Sequence, residues 1–493
     1  MSRLHIHPAS LHLVGFRLIC RYNSEKIGLF LLFDLKNALW GGILYSELNC
    51  FVNLKSDSRR LIVRIQRDRY LKLLIDRIDN GLIKVVTGIR RCGKSFLLFT
   101  LFTEYLKANG IPEDHIIQIA LDDDLNEKYR DPHELSKYIR SLIKDSGKYY
   151  ILLDEIQFAI TREELRNPDA PVKIYSVLNG LMRLPNTDIY VTGSNSKMLS
   201  TDIMTEFRGR GDVVEIHPLS FSEYFSHVGG DKISAFEDYA LFGGMPLVLS
   251  QKTDKAKFKY LSGLFQEVYY KDIQERYSVR HPETLAELTD VLCSSVGSLT
   301  NVSKLTRTLC SVKGAKFTEE MIGAYLGYLS NAYLFREAKR YDVKGKKYFE
   351  FPVKYYCEDI GLRNVRLNLR QQEETHIMEN ILFNELIFRG YSVDVGVVRK
   401  METDKNGKRS QKTFEIDFIV NAGGSKYYIQ SALSLPTSEK QNQEIRPLLA
   451  VKDFFQRIIV SKTTMRPWID EFGIRHIGLY DFLLNETLLE QNQ

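Results

Sequence analysis

Five short apolar runs recur along the first half of the chain, each bounded by polar or turn-forming residues: Leu82–Thr87, His115–Leu121, Tyr149–Asp154, Asp188–Gly193 and Asp212–Pro218. Their hydrophobicity is continuous rather than alternating, which predicts strands buried on both faces. Between them apolar positions return at helical spacing, as in "SFLLFTLFTEYLKANG", a helix expected to stop at Gly110. Strands alternating with helices predict a parallel sheet covered on both sides, so the fold class is α/β. Farther along, "FTEEMIGAYLGYLSNAYLF" (Phe317–Phe335) places Met321, Ile322, Tyr325, Leu326 and Leu329 on one stripe behind a Thr318 N-cap. Leu334–Phe351 then predicts a hairpin turning at Lys344-Gly345. "EIDFIV" (Glu415–Val420) and "YYIQSAL" (Tyr427–Leu433) predict two adjacent strands.

A length of 493 residues exceeds what one hydrophobic core usually serves, and predicts two to four domains. The hydrophobic share of 44% and charged share of 26% are those of an ordinary globular protein. A net charge of +6 is too small to imply a nucleic-acid partner by itself. The six cysteines are far apart with no CxxC pair, which argues against a disulfide framework or a structural zinc site and fits a reducing cytoplasm. The most apolar long segment, Ile27–Tyr45, carries Asp34 and Lys36 in its middle, so no membrane span is expected. Residues 1–60 read as an appendage with no chemistry, an overextended start. Their His5, His7 and His12 lack the cysteine or carboxylate partners that a metal site would need.

The chemistry begins at the first turn. Gly88-Ile89-Arg90-Arg91-Cys92-Gly93-Lys94-Ser95 fits G-x-x-x-x-G-K-[ST] between an apolar strand and an apolar helix that continues through Phe96. Three cations in one short turn repel each other, and a nucleotide triphosphate would neutralise them. The glycines let the backbone wrap a phosphate chain, with N–H groups and a helix N-terminus pointing inward. Lys94 would reach the β- and γ-phosphates, and the Ser95 hydroxyl would bind Mg2+. "KYYILLDEIQ" adds Asp154 and Glu155 at the C-terminal end of a buried strand, where parallel sheets bind ligands. Asp154 would hold Mg2+, and Glu155 would polarise the attacking water. The strand Asp188–Gly193 is followed by Ser194 and Asn195, either of which would serve as a polar group near the γ-phosphate. Arg208 and Arg210 flank a glycine before the last strand. Two roles stay open for them: stabilising transition-state charge on a neighbouring active site, or a structural one.

"GIRRCGKSFLL", "YYILLDEIQ", "VTGSNSKMLS", "TEFRGRGDVVEIHPLSFSEY" and "LFGGMPLVL" together resemble the prokaryotic ATPases of the AAA superfamily that carry a C-terminal domain of unknown function. The resemblance runs from about residue 65 to the end. It implies a P-loop NTPase sheet with ATP and Mg2+ as cofactors. Gly88, Gly93, Lys94 and Ser95 would form the Walker A loop, and Asp154 with Glu155 the Walker B pair. Ser194-Asn195 would be the sensor, and Gly243–Pro246 part of a small helical lid.

Residues 286–351 resemble a winged helix. Arg336, Lys339, Arg340, Lys344, Lys346 and Lys347 would then make a basic wing. That wing would sit on DNA phosphates, or pack on the ATPase core or a protein partner. The last region resembles a restriction-endonuclease-like α/β fold, with Glu379 on a helix and Asp417 on a strand. The third motif reads Gln430-Ser431-Ala432, so one acid and the lysine are missing, and a degenerate, inactive domain is expected. Asp359 is assigned no catalysis. The expected order is an appendage over 1–60, an ATPase core over 61–225 and a helical lid or linker over 226–285. The winged helix over 286–351 and the nuclease-like domain over 352–493 complete it. The expected function is a cytoplasmic Mg2+-dependent ATPase whose nucleotide state moves C-terminal modules that bind DNA or a protein. A slow nucleotide-gated switch is the alternative, and oligomeric state stays open.

Overall fold

The computed structural model describes residues 64–161, 163–164, 172–194, 210–313, 316–403, 409–434, 438–463 and 466–490. After a first helix, α1 (Asp68–Ile75), five strands form one sheet: β1 (Ile83–Gly88), β2 (Ile116–Ala120), β3 (Tyr149–Asp154), β4 (Thr187–Thr192) and β5 (Gly211–Ile216). Every pairing is parallel and the order is β2-β3-β4-β1-β5. The five expected strands are all present, with ends shifted by at most two residues.

Alternate residues of each strand enter two different cores. Val86, Tyr150, Leu152 and Tyr190 pack against α1 and α2, a helix running from Lys94–Phe96 through a π-helical stretch Leu97–Phe102 to Thr103–Ala108. Ile83, Val85, Ile151, Leu153 and Val191 face α3 (Pro132–Leu142) and α4 (Lys173–Met182). Burial on both faces is why these strands lack an alternating polar pattern.

A helical region follows: α5 (Phe221–Val228), α6 (Lys232–Phe242), α7 (Asp254–Gly263), α8 (Lys271–Tyr277), α9 (Pro282–Ser294), α10 (Val302–Lys313) and α11 (Glu319–Asn331). Thr318 caps α11 as expected, its hydroxyl accepting from the Met321 N–H at 3.2 Å. The hairpin of β6 (Phe335–Asp342) and β7 (Lys347–Cys357) turns through residues 343–346. Beyond it come α12 (Ile360–Arg366), α13 (Glu374–Phe388), β8 (Ser392–Thr403), β9 (Arg409–Ala422), β10 (Ser425–Ala432), α14 (Ser438–Leu449), β11 (Gln456–Ser461), β12 (Trp468–Ile469), β13 (Ile474–Gly478) and α15 (Leu479–Leu484).

The second sheet has eight strands in the order β12-β13-β11-β10-β9-β8-β6-β7. The hairpin is therefore part of the C-terminal sheet, joined by a parallel pairing of β6 with β8. This corrects the division expected at 351/352, which cuts through β7. It also corrects the expectation for Arg336. That residue is not on an exposed wing but bonds Glu215 and Glu358, the latter at 3.2 Å. Residues 62–493 form one compact unit. No helix among the described residues is long and apolar enough to cross a membrane.

Candidate active site

The site forms where β1, β3 and β4 end. β1 is buried throughout and stops at Gly88, whose φ of +138° few L-residues adopt. A Cβ there would overlap the Ile216 carbonyl at the end of β5, so only glycine lets the chain turn at this point. The loop then runs to Gly93, at φ +102°, and α2 begins at Lys94. Ile89 and Cys92 point into the core, and the Cys92 thiol lies 3.5 Å from the Ile216 carbonyl. Burial pushes that thiol up. Arg90 pairs with Asp272 at 3.1 Å, and its carbonyl accepts from the Tyr269 hydroxyl at 2.8 Å. Arg91 is exposed beside the cavity.

Lys94 is buried, with its Nζ 3.0 Å from the Gly88 carbonyl and 3.1 Å from that of Ile89. Two neutral carbonyls are modest company for a buried ammonium, and an anion in the loop would complete its shell. At the end of β3, Asp154 accepts from the Thr192 hydroxyl. Burial pushes the Asp154 carboxyl up, against the Ser95 and Thr192 hydroxyls that favour its ionised form. Glu155 adopts a left-handed conformation, φ +54° and ψ +52°, held by its N–H on Thr192 Oγ1 at 3.0 Å. Its carboxylate accepts from the Gln157 amide, which also lies 3.4 Å from Ser194 Oγ. Gln157 Oε1 is buried with no hydrogen-bond partner among the described residues.

These groups border a cavity of about 400 Å³ whose walls include Arg67, Lys94, Ser95, Glu155, Pro246 and Leu247. That volume lies within the usual range of small-molecule sites. An ammonium over a loop of backbone N–H groups, with a Ser–Asp pair beside it, fits a triphosphate with its divalent cation.

The structure thus brings Gly88 through Ser95, Asp154, Glu155 and Ser194 together, with Phe96 at the cavity edge. Asn195 and Arg208 lie outside the described residues. Arg210 is exposed at the start of β5, its carbonyl accepting from the Ile83 N–H at 2.9 Å. That is the sheet end opposite the loop, so Arg210 does not join this chain's own site.

Three side chains had escaped sequence reasoning, whereas Pro246, singled out there with the glycines before it, does line the cavity. Arg67 is buried and ties the loop to its surroundings, donating to the Cys92 carbonyl at 3.0 Å and to the His217 carbonyl at 2.7 Å. Thr192 and Gln157 fix the acidic pair, and the Pro246-Leu247 wall hangs from the glycines before it. Only Gln157 carried a local signal, as the amide that follows Asp-Glu by two residues.

Two further clusters link the halves of the molecule. At the end of β5, Glu215 bonds Arg336, and His217 Nδ1 lies 2.5 Å from Glu358. Burial alone would raise the Glu358 carboxyl, but Arg336 and His217 overcome it and hold it at about 2. Its neighbour Asp359 accepts from the Gly244 N–H at 2.7 Å and the Leu362 N–H at 3.0 Å. Burial pushes that carboxyl up to about 6. In the C-terminal sheet, a buried lysine pairs with two acids. Lys354 of β7 lies 2.8 Å from Glu379 and 2.9 Å from Glu415.

A family described as "AAA domain" matches residues 80–225, and a "Domain of unknown function (DUF8612)" matches residues 233–373. An uncharacterized protein of Haemophilus influenzae is 33% identical over 427 residues, spanning 85% of this chain and 98% of its own length. An uncharacterized protein of Methanocaldococcus jannaschii is 26% identical over 407 residues, spanning 79% and 82%. Among solved structures, a Walker-type ATPase of Pyrococcus abyssi aligns over 62% of this chain and 96% of its own, with 18% identity and a TM-score of 0.42. With its P-loop sheet and its match to the Haemophilus protein along nearly that protein's whole length, the chain belongs to this family of AAA-domain proteins.

Proposed function

We propose that the protein is a Mg2+-dependent ATPase whose nucleotide state is transmitted to C-terminal modules that bind DNA or a protein partner. The observation that carries this reading is the convergence of Lys94, Ser95 and Glu155 on one cavity beneath a glycine-turned loop, with Asp154 hydrogen-bonded to Ser95 behind it. Loop N–H groups and Lys94 would bind the phosphates, while Arg90 and Arg91 add positive charge at the rim. Ser95 and Asp154 would hold Mg2+, which supplies charge neutralisation between the phosphates. Glu155 would accept hydrogen bonds from the attacking water, and Ser194 or Asn195 would contact the γ-phosphate. Arg208 and Arg210 would act, if at all, on the site of a neighbouring copy. The exposed position of Arg210 at the far end of β5 leaves open that role or a structural one.

Transmission is supported by contacts from the ATPase sheet to the C-terminal half. Thr87, one residue before the loop, shares a 2.6 Å hydrogen bond with Tyr333, and the Glu215–Arg336 and His217–Glu358 bonds lie beside it. Helices α9 to α11 with the β6–β7 hairpin would form the winged helix, supported by an antiparallel bridge between Thr300 and Val353. The remaining sheet would be a degenerate nuclease-like fold, in which Lys354 sits where a cation would otherwise bind.

The test is recovery of the protein from its own cells as wild type and Glu155→Gln. The variant should retain ATP together with whatever the cycle normally releases. Equal recoveries of nucleotide and partners from both would defeat the reading. One observation favours a second reading, a nucleotide-gated switch with little turnover: the Gln157 amide occupies the carboxylate that must polarise water. Steady-state turnover with and without DNA separates the two.

A further inference from the structure

The chain's formal +6 is not spread along it. Residues 339–347 and 399–412 hold eleven Lys and Arg against three Asp and Glu, so these two stretches carry +8 and the rest of the chain −2. The fold then sets the two stretches side by side. The first is the turn half of the β6–β7 hairpin, and the described residues of the second, 399–403 and 409–412, belong to the paired strands β8 and β9. Arg340 and Asp342 of β6 align with Val395 and Val397 of β8. Lys344 Nζ donates to the Arg399 carbonyl at 2.6 Å. The guanidinium groups of Arg340 and Arg399 lie over the same Phe349 ring, 5.8 and 5.3 Å from its centroid.

Among the described residues, most of this charge has no acidic partner. Asp342, the acid of the first stretch, is buried and spent on its own turn, accepting from the Lys344 and Gly345 N–H groups at 3.1 and 2.9 Å. Elsewhere in the hairpin Arg336 and Lys354 have carboxylate partners. Lys339 faces the Asp394 carboxylate, whereas Lys346, Lys347, Lys400 and Arg409 are exposed and have no acidic partner among the described residues. Folding that gathers like charges on a surface without counter-ions indicates a polyanionic partner.

Shape narrows the partner. The β8–β9 ladder continues to Thr403 opposite Arg409, while β6 last pairs with β8 at Val397. Six residues of β8 therefore extend past the β6 pairing as a two-stranded ribbon, roughly 20 Å long at the usual strand rise. Residues Arg409–Thr413 of that ribbon are all exposed. The major groove of B-form DNA, about 12 Å wide, admits a two-stranded ribbon. The deep, narrow major groove of A-form RNA does not.

We propose that the β8–β9 ribbon enters the major groove of duplex DNA with Lys400, Arg409 and Lys412 along it. Lys339, Lys344, Lys346 and Lys347 of the neighbouring hairpin lie on the flanking phosphates. The proposal rests on the DNA-binding branch of the function above and needs no nucleotide.

The test is fluorescence anisotropy of a labelled 20-bp DNA duplex with the full chain, without nucleotide, from 50 to 300 mM salt. The affinity should fall with a log–log slope of roughly −0.9 for each phosphate contacted, so about −6 for seven cations. Lys400→Ala/Arg409→Ala/Lys412→Ala and Lys344→Ala/Lys346→Ala/Lys347→Ala should each weaken binding at 150 mM salt on the order of 10²-fold and flatten the slope by about 3. Circular dichroism of each variant reports its fold. Absence of duplex binding at 50 mM salt, unchanged slopes in both folded variants, or tighter binding of duplex RNA would each overturn the assignment. ATP binding measured on the same samples keeps the two readings apart. Lost DNA binding with ATP binding intact removes this surface alone, and lost ATP binding with DNA binding intact removes only the nucleotide reading.

Discussion

Replacing Lys354 by Met keeps the side chain's length and removes a buried charge whose partners are known. Lys354 is 4% exposed, and burial would lower its pKa, yet Glu379, Asp417 and Glu415 hold it raised. Glu379 Oε1 takes the lysine at 2.8 Å and the Tyr356 hydroxyl at 2.7 Å. Asp417 accepts from the Ser431 N–H at 2.8 Å, and burial, then the charge of Glu379, pushes its carboxyl up to about 8. One buried lysine therefore faces three acids in this cluster, Glu379, Asp417 and Glu415.

Removing the ammonium strands Glu379. Breaking a buried ion pair from one side costs about 3–5 kcal/mol, and the Glu415 contact, one-third exposed, adds roughly 1 kcal/mol or less. The loss has a ceiling, because Glu379 can take up a proton instead. Lifting an ordinary Glu carboxyl from about 4.3 to neutral at pH 7 costs about 4 kcal/mol, and at pH 5 only about 1 kcal/mol. The expected destabilisation is thus about 3–4 kcal/mol at pH 7, falling by about 1.4 kcal/mol per pH unit on acidification. The sign follows from linkage. In the variant a folded-state pKa raised above its unfolded value gives stability that is full at low pH and lost as pH rises.

The assay is the thermal midpoint of wild type, Lys354→Met and Lys354→Met/Glu379→Gln at pH 5 and 7. Hydrogen exchange of β7 and β10 should accompany it, because a chain of this size need not unfold in one step. The double variant, lacking both partners, should recover most of the loss. A deficit equal at pH 5 and 7 would mean lost packing alone, and no deficit at pH 7 would mean that the ion pair contributes nothing. Either result refutes the reasoning.

Lys94→Ala should weaken ATP binding about 10- to 100-fold by calorimetry, the usual worth of a charged hydrogen bond, with little change in fold. Unaltered affinity would eliminate the phosphate-loop assignment. Glu155→Gln should retain ATP binding while hydrolysis drops about 10²- to 10⁴-fold, and turnover at the normal rate would place the base elsewhere. With Mg2+ or Mn2+ the purified protein should not nick plasmid, and Asp417→Ala should shift stability rather than any cleavage rate. Nicking by wild type that vanishes in Asp417→Ala would make the chain a nuclease.

The ATPase sheet was legible because its signals are local. Gly88 and Gly93 are required by positive φ angles, and the doubly buried strands read as unbroken apolar runs. Asp154 and Glu155 follow directly from the end of such a run. The features that escaped reading lay far apart in sequence. Lys354 reaches Glu379 and Glu415 from another strand, a pairing that no local pattern around Glu379 or Gln430 announces. Arg336 sits among the hairpin's basic residues and counts as one of them until the fold brings Glu215 to it. The boundary at 351/352 failed for a related reason. Hydrophobic periodicity marks a strand but not which sheet it joins, and β6 finds β8 across more than fifty residues.

One strand end explains why a change at the nucleotide would reach that second sheet under the proposed function. The Ile216 carbonyl closing β5 is packed against the Cα of Gly88 and receives the Cys92 thiol, so the phosphate loop cannot shift without pressing on it. The residues on either side of that carbonyl, Glu215 and His217, bond Arg336 and Glu358 of the C-terminal half. Arg336 and His217 hold the Glu358 carboxyl at about 2, so the acid of this connection stays ionised across the physiological range. Its neighbour Asp359 turns the other way and holds Gly244, two residues before the Pro246 wall of the cavity. Loop and wall are thus both fastened to consecutive residues, 358 and 359, at the end of β7. A closing of the wall on nucleotide would displace β7 and its sheet as a body, carrying the two basic hairpins with it, rather than melt the contacts between them.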